Sequence, residues 1–315
     1  MEGDSSDPHM PRGRILKTRD RFMKFELQGT TINFAQALSR IMTAEVPTIA
    51  VDYVVIEENT SNFSDSFLAG RLRDIPLTSR RTTSLCYSSD CPNCNGKGHC
   101  PLCSVKLRLN VKCKGKSLHV TSKDLSSSDP AVVPFDFQDT ASRGTEILKL
   151  RRGQEVDLTA IARKGLGKDD SKWVPTKVVT YFALAKVRIN EEMMETLTLE
   201  QKKEWVDSCH SPEFEIDPCT QKVVLSHPEE YVDDEEVIRK AEAMGKPGLV
   251  ELYRRNDTFV FTVKTKGSLK ASDLVMKAMD ILKQRLRLAN PVEDNDTPDQ
   301  SAGSASHTQD FDEVD

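Results

Sequence analysis

The sequence predicts an α+β fold in which the first and last structured segments share a core and a β-rich segment lies between them. Three observations lead to this prediction. A strand pattern followed by an amphipathic helix opens the chain, the same order closes it, and the middle carries short alternating segments around four closely spaced cysteines. At 315 residues, the chain is long enough for one core with a large insert.

The opening strand is predicted over residues 21–27, where apolar and charged side chains alternate. A helix follows, with Asn33 as the predicted N-cap and Gln36 in the capping-box position. Pro47 is expected to end this helix, because proline cannot continue the helical hydrogen bonding. The apolar side chains on one helix face are Phe34, Leu38, Ile41 and Met42.

The middle of the chain is rich in strand patterns. A mixed segment at 65–77 separates the first of them from the cysteines, and loops are predicted at 123–146 and 164–175. The predicted strands cover residues 49–58, 105–113, 117–122, 147–161 around a turn at Arg152-Gly153, and 176–183.

The last third is predicted to begin with helices at 191–206 and 233–244. Asn256-Asp257 separates two alternating runs and predicts a β-hairpin. A long amphipathic helix is expected over 270–288 and ends before Asn290-Pro291. Its apolar positions are Leu274, Ala278, Ile281, Leu282 and Leu286.

The four cysteines form a C-x2-C-x5-C-x2-C array comprising Cys91, Cys94, Cys100 and Cys103. Two such knuckles can meet at one tetrahedral ion, and Gly96 and Gly98 allow the sharp turn between them. A site closed by four thiolates leaves no coordination position for substrate. The spacing therefore predicts one structural Zn²⁺ and no catalytic metal.

Other chemistries also use closely spaced cysteines. Disulfides are disfavoured because the polar first ten residues contain no secretory h-region and four further cysteines are scattered through the chain. An iron–sulfur cluster also accepts four thiolates. Residues 91–98 resemble one zinc repeat of J-type chaperones, but only one such repeat is present.

Composition excludes several classes of function. No apolar run approaches a membrane span. The net charge of −5 arises from the chain ends, since residues 1–10 and 291–315 carry three and eight acidic residues and no Lys or Arg. The remainder has a small, dispersed basic excess that does not predict a nucleic-acid groove. The ends, 1–12 and 291–315, are expected to be disordered.

Catalytic motifs are not found in the sequence. The histidines are isolated, and no P-loop, G-x-S-x-G or G-x-G-x-x-G pattern occurs. Asp233-Asp234-Glu235-Glu236 is better explained as a favourable helix start than as a metal site. The chain is therefore predicted not to be an enzyme.

Several segments resemble the α-like subunits of cellular RNA polymerases. The resemblance covers residues 13–290 and is to the third-largest subunit of RNA polymerase II, with plant and green-lineage features at 189–199 and 235–248. It is carried by residues 34–50 (FAQALSRIMTAEVPTIA), 65–77 (DSFLAGRLRDIPL), 150–155 (LRRGQE) and 164–173 (KGLGKDDSKW).

This resemblance implies a discontinuous dimerisation domain, at 13–47 and 186–290, with an inserted zinc-bearing domain at 48–185 whose zinc loop is 91–103. The implied partners are a smaller α-like subunit, the two largest polymerase subunits and small core subunits, in the nucleus. Neither sequence-specific DNA contact nor membrane contact is implied. The residues implied in pairing are Phe34, Leu38, Ile41, Leu274, Ala278, Ile281 and Leu282.

The chain departs from the family pattern at Ser39, Ser66, Gly70 and Asp170-Ser171. These departures suggest a paralogue that serves plant RNA polymerase IV or V, enzymes of RNA-directed DNA methylation. Two alternatives belong to other functional classes. One is a zinc hydrolase, which a closed four-thiolate site disfavours. The other is a free zinc-loop nucleic-acid-binding module, which predicts salt-sensitive DNA binding.

Overall fold

The fold is a mixed α/β architecture in which the two ends of the chain share one sheet. The computed structural model describes residues 11–136, 139, 141–208, 214–226 and 236–289. The strands are β1 (Arg12–Arg19), β2 (Phe22–Gln28), β3 (Thr48–Asn59), β4 (Ser104–Lys112), β5 (Ser117–Thr121), β6 (Ser126–Ser127), β7 (Glu146–Arg151), β8 (Glu155–Gly165), β9 (Thr176–Ile189), β10 (Phe214–Ile216), β11 (Val223–Leu225) and β12 (Val250–Thr265).

Six α-helices and three single 3₁₀ turns accompany these strands in the described ranges. The helices are α1 (Ile32–Ala44), α2 (Asp65–Arg73), α3 (Glu191–Glu195), α4 (Leu199–Asp207), α5 (Glu236–Ala243) and α6 (Ala271–Ala289). The 3₁₀ turns are Arg80–Thr83, Ser122–Asp124 and Ser171–Trp173.

The first sheet joins residues that are more than 230 positions apart in sequence. Its strand order is β1-β2-β12-β9, with every neighbouring pair antiparallel. Phe25 on β2 lies opposite Phe261 on β12, and their rings stack with centroids 5.0 Å apart. Helices α1 and α6 lie against each other and cover this sheet. The segments at the two ends of the chain therefore share one apolar core.

The middle of the chain forms a second core. A four-stranded sheet of order β3-β8-β4-β6 and the ribbon β5-β7 enclose it, and α2 packs against β3 and β7. A smaller third core surrounds Trp205 on α4, whose indole N–H donates to the carbonyl of Val237. The first and third cores adjoin along β9 and β12, since both strands contribute residues to each.

Three sequence predictions differ from this fold. The N-cap of α1 is Thr31, whose hydroxyl accepts from the amide of Phe34, so Asn33 lies inside the helix. The segment around Asn256-Asp257 is no hairpin, because β12 continues through it and pairs with β9 on both sides. The domain boundary expected at 185/186 falls inside β9, and that strand pairs with β12 almost throughout.

The sequence also predicted disordered ends at 1–12 and 291–315. Of these, residues 1–10 and 291–315 lie outside the described residues, whereas Arg12 begins β1. The carboxylate run at 233–236 also lies outside them, except for Glu236 at the start of α5.

Candidate metal centre and helix surfaces

The two cysteine knuckles converge on one point. The ligand atoms of Cys91, Cys94, Cys100 and Cys103 all lie within 4.8 Å of one another. Three sulfur–sulfur distances are 3.4, 3.6 and 3.5 Å, between Cys91 and Cys100, Cys94 and Cys103, and Cys100 and Cys103. A tetrahedral ion with metal–sulfur bonds of about 2.3 Å has sulfur–sulfur edges of about 3.8 Å. The four cysteines can therefore hold one metal ion.

Local backbone geometry produces this convergence. Gly96 and Gly98 have φ of 79° and 68°, in the left-handed region that favours glycine. The amide of Gly98 donates to the sulfur of Cys94 at 3.2 Å. The turn predicted at these glycines is thus present. His99 is exposed and edge-on to Tyr53, outside the cluster.

The four thiols differ in acidity. Burial raises the pKa of Cys103 to about 12. Burial acts in the same direction at Cys100, but hydrogen bonds from Asn93, Cys91 and Cys103 outweigh it and lower the pKa of Cys100 to about 6. The amide of Gly98 and neighbouring thiols likewise overcome burial and lower the pKa of Cys94. The lowered pKa values at Cys94 and Cys100 shift these two thiols toward the thiolate form, which metal binding requires at all four positions.

Arg163 on β8 fastens the cysteine loop to the second sheet. Its guanidinium donates to the carbonyls of Gly98 and Lys97 at 2.9 and 3.0 Å, and to the carboxylate of Asp52 on β3 at 2.9 Å. A Cβ at position 98 would lie 2.6 Å from this guanidinium. Lys172 is the second cation on Asp52, at 2.7 Å. The loop geometry therefore depends on two strands far away in sequence.

The seven residues expected at the partner interface divide into two groups. Leu38, Ile41, Leu274 and Ala278 are completely buried in the chain's own first core, out of reach of a partner. Leu282 is 9% exposed at the edge of that core, and Phe34 and Ile281 are partly exposed. In this chain taken alone, the first four are therefore core residues and the other three reach its surface; their role in pairing stays a prediction.

The exposed apolar residues of α1 and α6 lie at other positions. Met276, Leu286 and Leu288 on α6 are 62%, 54% and 83% exposed, and Ile32 at the start of α1 is also exposed. Every residue from 283 to 289 is exposed, so the last turns of α6 extend beyond the core. Arg285 forms an ion pair with Glu45, which ties this end of α6 to the end of α1.

Among the described residues, no helix is both long enough and apolar enough to cross a bilayer.

Comparison with known proteins identifies the fold. The RNA polymerase Rpb3/Rpb11 dimerisation domain matches residues 24–286, which include both helices and the first sheet from Lys24 onward. The chain belongs to this family. The resemblance found in the sequence is thereby confirmed.

Several members of the family are similar over nearly their full length. DNA-directed RNA polymerases IV and V subunit 3B of Arabidopsis thaliana is 50% identical over 298 residues, which cover 91% of this chain and 93% of that protein. DNA-directed RNA polymerases II, IV and V subunit 3 of the same plant is 48% identical, covering 93% and 94%. RNA polymerase II subunit rpb3 of Dictyostelium discoideum is 43% identical, covering 88% and 92%.

The departures from the family pattern lie at or near the surface. Ser66 and Gly70 are exposed on α2, and a Cβ at Gly70 would meet nothing within 4 Å. Asp170 caps the turn Ser171–Trp173 and pairs with Arg73 and Lys172. These substitutions therefore alter surface chemistry and leave the three cores intact.

Sequence reasoning missed the arginine that holds the loop. Arg163 lies in a strand pattern with no motif, and its partners are 65 to 111 positions away. The only local signal was a charged residue directly after the apolar run Ala160-Ile161-Ala162.

Proposed function

We propose that the chain is the non-catalytic assembly subunit of a DNA-directed RNA polymerase and that it pairs with a smaller, Rpb11-like member of its own family. The single observation that carries this proposal is the family match over residues 24–286. Two plant polymerase subunits at 50% and 48% identity over more than nine-tenths of the chain support it. Phosphoryl transfer then belongs to the two largest subunits, which the heterodimer brings together with the small core subunits.

The dimerisation domain in this proposal is discontinuous, with the insert between its two parts. We move its second boundary from 185/186 to 175/176, because β9 belongs to the first sheet from Thr176 onward. The domain then comprises residues 13–47 and 176–290, and the insert, residues 48–175, carries the cysteine loop.

The pairing surface in this proposal is formed by exposed apolar positions of α1 and α6; those on α6 lie on more than one helix face, since Leu286 and Leu288 are two residues apart. Phe34, Ile281 and Leu282 remain from the residues expected, and Ile32, Met276, Leu286 and Leu288 join them. Apolar side chains that extend past the chain's own core are costly in water and gain from burial against a partner. The four fully buried residues support this surface from inside by fixing the helices.

Co-expression with the Rpb11-like subunit of the same organism tests the pairing. The double variant Met276→Asp with Leu286→Asp should weaken the heterodimer at least about tenfold, since a partner would have to bury two unpaired charges. Val224→Asp, at an exposed apolar site on β11 beside the third core, is the control and should pair normally. Unchanged pairing of the double variant would refute the surface.

The metal in the cysteine cluster is proposed to be one structural Zn²⁺. Four thiolates in tetrahedral reach suit zinc, which stabilises a loop without redox chemistry. Metal analysis of the native heterodimer should find one zinc per chain. Cys91→Ser with Cys94→Ser should lose it and still pair, while an iron signal or no metal would contradict the assignment.

The polymerase that contains the chain is proposed to act in the nucleus. The surface residues Ser66, Gly70 and Asp170, which differ from the expected family pattern, favour RNA polymerase IV or V over RNA polymerase II. The relatives named for polymerases IV and V, and for II, IV and V, are nearly equally similar. Purification of the tagged chain and mass spectrometry of the accompanying largest subunit decide between these enzymes. Recovery of the RNA polymerase II subunit alone would exclude the specialised role.

A further inference from the structure

A basic groove lies at the junction of the first and second cores, away from the cysteine loop and the exposed end of α6. Its volume is about 1020 Å³. The turn between β1 and β2, the start of β9, the end of β12 and the first turn of α6 line it, together with residues near the Arg80–Thr83 turn and Phe135. It is larger than most small-molecule pockets, at about 300–1,000 Å³, and suits a peptide segment.

The groove carries an excess of positive charge. Seven cations and four carboxylates line it, and six of the cations form no ion pair with any described residue: Lys17, Arg19, Arg21, Arg80, Lys177 and Lys264. Of its carboxylates, Asp20 pairs with Lys270 at 3.3 Å, and Asp136 is occupied by hydrogen bonds from Ser122 and Thr145. The free positive charge therefore faces the groove.

Two buried hydroxyls of the groove lining also lack partners. Thr265 and Ser268 are 2% and 8% exposed, and neither hydroxyl has a hydrogen-bond partner among the described residues. A buried hydroxyl without a partner costs free energy, so such groups are normally satisfied.

The groove is preformed. Gly267 has φ of 117°, and a Cβ there would lie 2.6 Å from the ring of Phe135. The guanidinium of Arg21 lies over the same Phe135 ring, 5.3 Å from the ring centre. The close packing of Gly267 on Phe135 fixes the lining segment between β12 and α6.

We infer that this groove binds the chain's own acidic C-terminal sequence, residues 291–315. That sequence has eight carboxylates and no Lys or Arg, so its charge complements the groove. The 19 residues of α6 span about 28 Å, a distance that about nine extended residues cover. Twenty-five residues follow Asn290, so the tail can return along α6 to the groove at its start.

A nucleic acid fits the groove less well than carboxylates do. Asp20, Asp139 and Asp273 lie among the lining residues and would repel a continuous row of phosphates. Carboxylates spaced irregularly along a peptide can each meet a lysine and avoid these positions. The inference does not rest on pairing with the Rpb11-like subunit: Met276 lies one helical turn from the lining residue Asp273, but none of the proposed pairing residues is itself part of the lining.

Lysine acetylation followed by mass spectrometry tests the inference on the full chain in its native complex. Converting all eight tail carboxylates to amides should make Lys177 and Lys264 react about threefold faster, which corresponds to a groove occupied about two-thirds of the time. Exposed Lys149 in the second core is the internal control. Amide replacements at Glu2, Asp4 and Asp7 form the matched control and should change nothing.

A second measurement locates the tail directly. Zero-length carbodiimide cross-linking of the unmodified chain should join residues 291–315 to Lys177 or Lys264, and about 1 M salt should abolish the products. Unchanged reactivity of the two lysines in the amide variant would overturn the inference. Cross-links from these lysines to another subunit instead of the tail, or protection of the lysines by added single-stranded DNA, would also overturn it.

Discussion

Removing the side chain of Arg163 should release the metal faster while leaving the first core intact. The test variant is Arg163→Met, which keeps a long side chain and removes the guanidinium. Two carbonyls of the cysteine loop and the carboxylate of Asp52 lose their donors. The loop is then held by its own backbone turns, by the metal and by weaker contacts such as that of His99 with Tyr53.

The magnitude follows from these three contacts. Hydrogen bonds that involve a charged group contribute about 1.5–3 kcal/mol each. Full additivity does not apply, because Lys172 still neutralises Asp52, and water can replace part of the loss at side chains that are 18% and 22% exposed. The expected net loss of loop stabilisation is about 2–3 kcal/mol, which corresponds to a change of roughly 30–150-fold in the metal-binding equilibrium constant. Residues that orient metal ligands typically affect affinity by about 10–100-fold.

Transfer of the metal to a chromophoric chelator measures the effect. Arg163→Met should release metal about 10–100-fold faster than the native chain. Arg163→Lys should be intermediate, since lysine retains a charge near Asp52 without the planar fork. Arg108→Met is the matched control, because Arg108 on the neighbouring strand pairs with Asp157 but is 61% exposed. Native release by Arg163→Met would mean that the loop holds its shape unaided and would refute the reasoning.

The remaining predictions concern the stability of the cores. Leu38→Ala should lower the free energy of unfolding by about 2–5 kcal/mol in urea titration, because Leu38 is completely buried; Ala37→Gly, half-buried on the same helix, should cost only about 1 kcal/mol. Gly165→Ala should cost about 1–3 kcal/mol, since its Cβ would lie 2.3 Å from the Trp173 ring; full native stability would contradict that packing. The amide of Lys172 first, and then the Lys172 and Arg73 cations, hold the pKa of Asp170 below its usual value. Its ion pairs therefore stabilise the fold above about pH 4, and this stabilisation is lost as the carboxylate protonates at lower pH. Asp170→Asn should lower the free energy of unfolding by about 1 kcal/mol near pH 7 and by almost nothing near pH 2. An equal loss at both pH values would exclude this linkage.

Local patterns in the sequence were sufficient for the features whose chemistry is local. The cysteine spacing predicted a single metal-binding cluster because ligands three and six positions apart need only backbone turns to meet. The amphipathic face of α6 was predicted because its apolar residues fall at helical spacing. The strand–helix order at both ends suggested one interrupted core, and the resemblance implied that the two ends form one domain, but neither pairs Phe25 with Phe261.

Local patterns failed where a distant partner decides the outcome. Asn256-Asp257 has the composition of a turn, yet β12 advances five residues from Arg254 to Phe259 while β9 advances two, from Ala185 to Ala183. The extra residues form a bulge, and the carbonyl of Asp257 accepts from the amide of Thr30. The fourteen-residue strand β9 binds both halves of β12, so pairing overrides the turn preference.

The helix patterns also could not show which apolar residues the chain's own core buries. An apolar helix face predicts that the face is covered, but it does not say whether the chain's own sheet or a partner covers it. Leu38 and Leu274 are covered from within, while Leu286 and Leu288 at the end of the same pattern are not. The position at which a helix outruns its own core is therefore the more specific sign of a partner surface.

The contacts around Arg163 also explain why metal and pairing should be separable. The carbonyl of Arg163 accepts from the indole of Trp173, and the carbonyl of Trp173 accepts from Thr48 at the start of β3. The amide of Lys168 in turn donates to the carbonyl of Ala44, at the end of α1. Loosening the cysteine loop is thus transmitted first to the buried side of α1, where Ile41 and Met42 are held by an independent core. The exposed side of α6 meets this chain of contacts only through the ion pair between Arg285 and Glu45, so loss of the metal should weaken the insert well before it weakens the heterodimer.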